Sequence, residues 1–139
     1  MKKIFFLILC FSPLFAFTQP TGCSKKDSNT GPKQKIGIVV YSGDPETVWN
    51  AFRFGNFALG EGDTVKVFLL GKGVESEALD NDKFKVTDQL KQFVENGGKT
   101  FACGTCLTIR KMEGSKMCPL STMQDMYDIF KWCNKVITF

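Results

Sequence analysis

The 139-residue chain contains no histidine. Histidine is the side chain whose ordinary pKa places its change of charge between about pH 5 and 8. Its absence excludes His-activated nucleophiles, histidine proton shuttles and zinc sites built from two cysteines and two histidines. The chain does contain six cysteines, so any covalent chemistry is expected to use sulfur.

Other functional signatures are also missing. Gly71-Lys72-Gly73 is only a fragment of a phosphate-binding loop and is expected to be a turn, so no nucleotide cofactor is predicted. Asp44, Glu46 and Asp63 are explained by helix capping and turns, which leaves no pair of carboxylates for acid–base catalysis. The formal net charge of +4 is small and its charges are interspersed, so no nucleic-acid partner is expected.

A hydrophobic run long enough to span a bilayer is absent as well. The apolar stretch from Ile4 to Phe17 follows Lys2 and Lys3 and is shorter than the ~20 residues that a transmembrane helix needs. A basic start followed by a short apolar segment is typical of a secretory signal peptide, which we predict over residues 1–22. Its removal leaves a net charge of +2 because residues 1–22 contain two lysines and no acid.

Two cleavage sites are possible for this signal. The small residues Thr21 and Gly22 before Cys23 resemble the lipobox of bacterial lipoproteins, which predicts lipid on Cys23 and a flexible tether over residues 23–34. The protein would then be attached through its lipid to the periplasmic face of a membrane. Cleavage near Ala16 to Thr18 would instead give a soluble periplasmic protein in which Cys23 is an ordinary thiol.

Residues 35–139 are predicted to form one α/β domain. Lys35 to Tyr41 and Val65 to Leu70 are apolar at nearly every position, as parallel strands covered on both faces are. The alternation of strands and helices predicts a three-layer α/β/α fold with a mostly parallel sheet of about five strands. The remaining predicted elements are a helix from Pro45 to about Leu59, a polar loop after Gly73, a helix from 82–87 to Asn96, a strand 99–103, a short helix 105–112, a brief strand 115–120, a last helix capped by Ser121 and Gln124, and a strand 135–139.

Three cysteines follow strands of this sheet. Cys103 ends the third strand, Cys106 lies in the first turn of the next helix, and Cys118 precedes the brief fourth strand. Ligands of such sheets bind beyond the carboxyl ends of the strands. Free backbone N–H groups at a helix start favour an anion, so we expect a lowered pKa and a reactive thiolate or persulfide at Cys106. Arg110, Lys111 or Lys72 would add positive potential.

The segment Ala102 to Leu107, followed by Arg110 and Lys111, resembles the DsrE-like sulfur-relay family, as do the opening strand and turn Ile38 to Asp44 and the segment 118–123. The resemblance covers about residues 35–139. It implies a compact α/β subunit that assembles into a trimer or hexamer and carries sulfur as a cysteine persulfide. Its partners would be a sulfur donor or acceptor protein, or a small sulfur species.

The resemblance implies that Cys103 accepts the sulfur. Cys106 and Cys118 are additions to the family pattern, and from their positions we expect Cys106 to resolve or share the sulfur and Cys118 to be a nearby auxiliary thiol. Three alternatives remain open: a structural or redox disulfide between Cys103 and Cys106, a soft-metal site that uses Cys118 as third ligand, and a non-catalytic binding module. No chemical role is predicted for Cys133, which could instead pair with Cys118 in a disulfide.

Overall fold

A computed structural model describes residues 31–139 of the chain. The predicted signal peptide (residues 1–22), the lipidation site Cys23 and the tether up to residue 30 lie outside these residues. Gln34, the last residue of the predicted tether, already joins the domain: its N–H donates to Asp63 Oδ1 at 2.9 Å, and its carbonyl accepts from Thr64 N–H at 2.9 Å. No helix within residues 31–139 is both long and apolar enough to cross a membrane.

Strands and helices alternate along the domain, as predicted. The elements are β1 (Lys35–Val40), α1 (Pro45–Gly60), β2 (Thr64–Leu69), a 3₁₀ helix (Gly71–Ala78), α2 (Val86–Glu95), β3 (Lys99–Cys103), α3 (Gly104–Ile109), β4 (Leu120–Ser121), α4 (Met123–Trp132) and β5 (Lys135–Thr138).

All five strands are parallel and lie in the order β4-β3-β2-β1-β5. Ile38 of β1 packs beside Gly55 of α1, whereas the adjacent Gly37 lies against Ile129 and Cys133 at the end of α4. Because neighbouring residues of a strand point to opposite faces, α1 and α4 cover opposite faces of the sheet. This arrangement confirms the predicted three-layer α/β fold.

The first helix forms where the local sequence requires it. Asp44 caps α1 by accepting the Thr47 N–H at 2.8 Å, and Pro45 occupies the first turn, where its missing N–H costs nothing. Phe52 on the inner face of α1 meets Phe93 of α2 with ring centroids 5.8 Å apart. The buried positions of α1 recur at helical spacing, and they are Val48, Ala51, Phe52, Gly55 and Ala58.

Three local predictions are wrong in detail. The segment after β2, expected to be a turn and a polar loop, is a 3₁₀ helix that buries Val74 and Ser76. The fourth strand is Leu120–Ser121 instead of 115–120, because Ser115 and Cys118 form a turn in which each backbone N–H is bonded to the other residue. The capping box of α4 is Thr122 with Asp125, one residue later than expected, since the Ser121 hydroxyl donates to the Pro119 carbonyl.

Candidate functional site

Cys103 and Cys106 lie together at the carboxyl edge of the sheet. Cys103 is the last residue of β3 and is only 4% exposed, while Cys106 is the third residue of α3 and is partly exposed. Less than one helical turn separates them, and their thiol groups interact directly. Both are free thiols in the structure. The fold therefore places two of the predicted site cysteines next to each other at this edge of the sheet.

Cys106 is held by groups from a different part of the chain. The N–H of Gly71, at the start of the 3₁₀ helix, donates to Cys106 Sγ at 3.2 Å. Arg110 Nη1 donates to the Cys106 carbonyl at 3.2 Å, and Arg110 Nε is bonded to Glu75 Oε1 at 2.6 Å. Glu75 thus fixes the guanidinium beside Cys106, so one sulfur has both a backbone donor and a nearby positive charge.

The pKa of Cys106 differs in direction from the prediction. Burial raises the pKa of this thiol most, and the adjacent Cys103 raises it further. The Gly71 N–H and the Arg110 charge lower it, but their combined effect is smaller. The expectation of a lowered pKa is therefore wrong, because burial removes water from the thiol and this loss outweighs the two groups that favour the thiolate.

Cys118 has a different polar partner. Its side chain is 3% exposed and its thiol is hydrogen-bonded to the carboxylate of Glu77, on the 3₁₀ helix. Burial and the negative charge of Glu77 both raise the pKa of Cys118 far above the ordinary range, so this residue is a neutral thiol at physiological pH. The predicted auxiliary role of Cys118 stays a prediction.

The metal alternative lacks a suitable geometry. Within residues 31–139, no three cysteine, aspartate or glutamate side chains come together in a way that could hold a metal ion. Cys133 lies against Gly37, on the face that α4 covers, and its thiol donates to the Phe130 carbonyl at 3.7 Å. Cys118 and Cys133 are both free thiols in different surroundings, so the structure does not join them in a disulfide.

Three contributors to the site were not predicted: the Gly71 N–H, Glu75 and Glu77. All three belong to the 3₁₀ helix, which has no recognisable pattern in the sequence. Glu75 and Arg110 are 35 residues apart, so only the packing of the 3₁₀ helix against α3 brings them together. Of the predicted cationic neighbours of the site, Arg110 reaches Cys106, whereas the side chain of Lys72 lies along Gly43.

Comparisons with known proteins agree with this architecture. The sequence profile of the DsrE/DsrF-like family matches residues 34–139. An uncharacterized protein of Methanocaldococcus jannaschii is 33% identical over 103 residues, which cover 68% of this chain and 88% of that protein. An uncharacterized protein of Methanopyrus kandleri is 33% identical over 110 residues, which cover 73% and 91%.

A solved structure shares the fold. It is a conserved protein of unknown function from Bacteroides thetaiotaomicron, with a TM-score of 0.60 and 16% sequence identity. The match covers 76% of this chain and 95% of that one.

Proposed function

Because the chain belongs to the DsrE/DsrF-like family, we propose that it binds sulfur as a cysteine persulfide and passes it to an acceptor. The observation that carries this proposal is the pair of adjacent free thiols, Cys103 and Cys106, at the carboxyl ends of the strands. The partners are a sulfur donor or acceptor protein, or a small sulfur species such as polysulfide. The family makes sulfur relay plausible, and the pair supplies a place for it.

The surroundings of the pair support this chemistry. A persulfide or thiolate on Cys106 is stabilised by the Gly71 N–H and by the guanidinium of Arg110. Sulfur exchange between neighbouring thiols needs no acid–base residue other than the thiols themselves. A site without histidine is therefore chemically sufficient for relay.

Mass spectrometry of the polysulfide-treated protein tests the proposal. We expect an adduct of about 32 Da, the mass of one sulfur atom, on the pair in the wild-type protein. The double variant Cys103→Ala/Cys106→Ala should lack it, while the control Cys133→Ala, with the same substitution outside the site, should keep it. An adduct that persists at wild-type level in the double variant would refute persulfide binding at this pair.

A dithiol–disulfide role is the second candidate, and the same adjacency of Cys103 and Cys106 favours it. In this case the pair would be oxidised as purified, either as a structural element or as a redox couple. Thiol titration of the unreduced protein separates the two functions, because relay requires free or persulfidated thiols. Two results together would favour the disulfide: titration detects neither thiol, and the mass is about 2 Da below that of the dithiol because two hydrogen atoms have been lost.

We further propose that the protein is exported, anchored through lipid on Cys23 and assembled as a homo-oligomer. The basic and apolar pattern of residues 1–22 supports export, and Thr21-Gly22-Cys23 supports lipidation. Incorporation of labelled palmitate that is lost in Cys23→Ala would support the anchor, and an unmodified Cys23 would refute it. Light scattering of the detergent-solubilised protein tests the oligomer, and a monomeric mass would refute it.

A further inference from the structure

We infer that Cys106 is the thiol that takes sulfur from the donor, and that Cys103 receives it from Cys106. This inference rests on the proposed persulfide function and deepens it. It reverses the order that the family resemblance implied, in which Cys103 is the first acceptor. Three features of the site support it: access, the polar contacts of the two sulfurs, and the adjacency of the thiols.

Access favours Cys106. The side chain of Cys103 is 4% exposed, and Leu120 packs against the following residue, Gly104. The side chain of Cys106 is partly exposed. Transfer of a sulfur atom requires the attacking thiolate to reach the terminal sulfur of the donor, so a buried thiol reacts slowly with any donor from solution. In this structure the donor meets Cys106 first.

The polar contacts also favour Cys106 as the entry point. The Gly71 N–H points at its sulfur, and Glu75 holds the Arg110 guanidinium close by. Both groups stabilise negative charge on the attacking thiolate and on the persulfide that forms, and they offset part of the rise in the Cys106 pKa that burial causes. Cys103 has a different advantage: it is shielded from solvent, so a persulfide stored there is protected from reducing thiols.

Two exchanges balance without an oxidant or reductant. In the first, the Cys106 thiolate attacks the terminal sulfur of a donor persulfide R–S–SH. The donor S–S bond breaks, R–S⁻ leaves with the electron pair and takes up the proton that Cys106 lost, and Cys106–S–SH forms. In the second, the Cys103 thiolate attacks the terminal sulfur of Cys106–S–SH. The products are Cys103–S–SH and Cys106–SH, which receives the proton released by Cys103.

Time-resolved mass spectrometry with fragment localisation tests this order. The full-length protein is treated with inorganic polysulfide and sampled from seconds to minutes. We expect the sulfur adduct to appear first on Cys106 and later on Cys103. In Cys106→Ala, loading of Cys103 should be slower by at least about tenfold, because the accessible thiol is gone. In Cys103→Ala, the adduct should form and remain on Cys106.

A second measurement needs no substitution, so it does not depend on how well the variants fold. A short pulse of iodoacetamide on the native protein should alkylate Cys106 before Cys103.

Circular dichroism and thermal melting of both variants control for misfolding, and Cys133→Ala serves as the matched control outside the site.

The outcomes separate the two proposals. Loading of Cys103 at the wild-type rate in Cys106→Ala, or alkylation of Cys103 first, overturns the proposed order while the persulfide function stands. Absence of any adduct on both cysteines of the wild-type protein overturns the order and the function together. Oxidation of the pair to a disulfide with release of sulfide, in place of an adduct on Cys103, overturns the second exchange.

Discussion

Gly73 is a position at which one added methyl group should disturb both the fold and the site. A Cβ at this position would collide with the carbonyl oxygen of Val40 and lie 2.9 Å from its carbonyl carbon. Gly73 is buried, and the atoms that the added Cβ would strike belong to the backbone of β1. This backbone cannot rotate aside as a flexible side chain would. Over-packing of this kind costs about 1–3 kcal/mol in the free energy of unfolding.

The cost of Gly73→Ala can be measured as a melting temperature. For a domain of this size each kcal/mol corresponds to roughly 4–8 °C, so we expect Gly73→Ala to melt on the order of 5–20 °C below the wild type. Gly60→Ala is the matched control, since a Cβ there meets no atom within 4 Å. Gly60 ends α1, and alanine is favoured over glycine in helices, so this variant should be neutral or slightly more stable.

The same substitution should change the reactivity of Cys106. The Gly73 N–H donates to the Leu70 carbonyl at 2.9 Å, and displacement of this turn moves the Gly71 N–H away from the sulfur. Because that N–H lowers the pKa of Cys106, its loss should slow alkylation by iodoacetamide at neutral pH. A Gly73→Ala protein that melts within about 1 °C of Gly60→Ala would refute the packing argument.

Three further predictions follow from the described contacts. Cys103→Ala should lower the pKa of Cys106, because the Cys103 thiol raises that pKa in the wild type. Cys106 should therefore be alkylated faster in this variant at pH near 7, and an equal or slower rate would contradict the prediction. Phe93→Ala should lower the free energy of unfolding in urea by about 3–5 kcal/mol, since this ring of α2 is fully buried and packs against Phe52 of α1. A loss below about 1 kcal/mol would contradict this prediction. Bonds from the Thr122 N–H and hydroxyl lower the pKa of Asp125, so its stabilising effect is present above about pH 4 and is lost as pH falls through the lowered pKa. Asp125→Asn should therefore melt below the wild type at pH 7, and the gap should close in acid. A gap that is independent of pH would count against this assignment.

The elements that the sequence predicted well are those with strong local signals. The apolar run of β1 and the Asp44-Pro45 start of α1 are decided within a few residues, so their structure agrees with the prediction. The placement of Cys103 at the end of β3 and of Cys106 in the next helix was predicted for the same reason. The general class of the fold followed from the alternation of such segments.

The elements that the sequence did not predict depend on contacts between distant residues. The 3₁₀ helix has no apolar period of its own and is stabilised by packing against α2 and α3. The ion pair of Glu75 with Arg110 joins residues that no sequence pattern relates. The direction of the Cys106 pKa depends on how much water the folded chain removes from the thiol, and a position in a helix does not disclose that.

The path of α4 has a consequence for the motions of the protein. This helix connects β4 at one edge of the sheet to β5 at the other, and Ile129 is its one fully buried residue. By contrast, α1 buries five residues against the opposite face. Local opening of α4 would free both edges in one event, so amide hydrogens of β4, α4 and β5 should exchange with solvent together and sooner than those of β1, β2 and α1. Since Ser121 of β4 is paired with Cys103 of β3, the same event would also release the strand that lies beside Cys103.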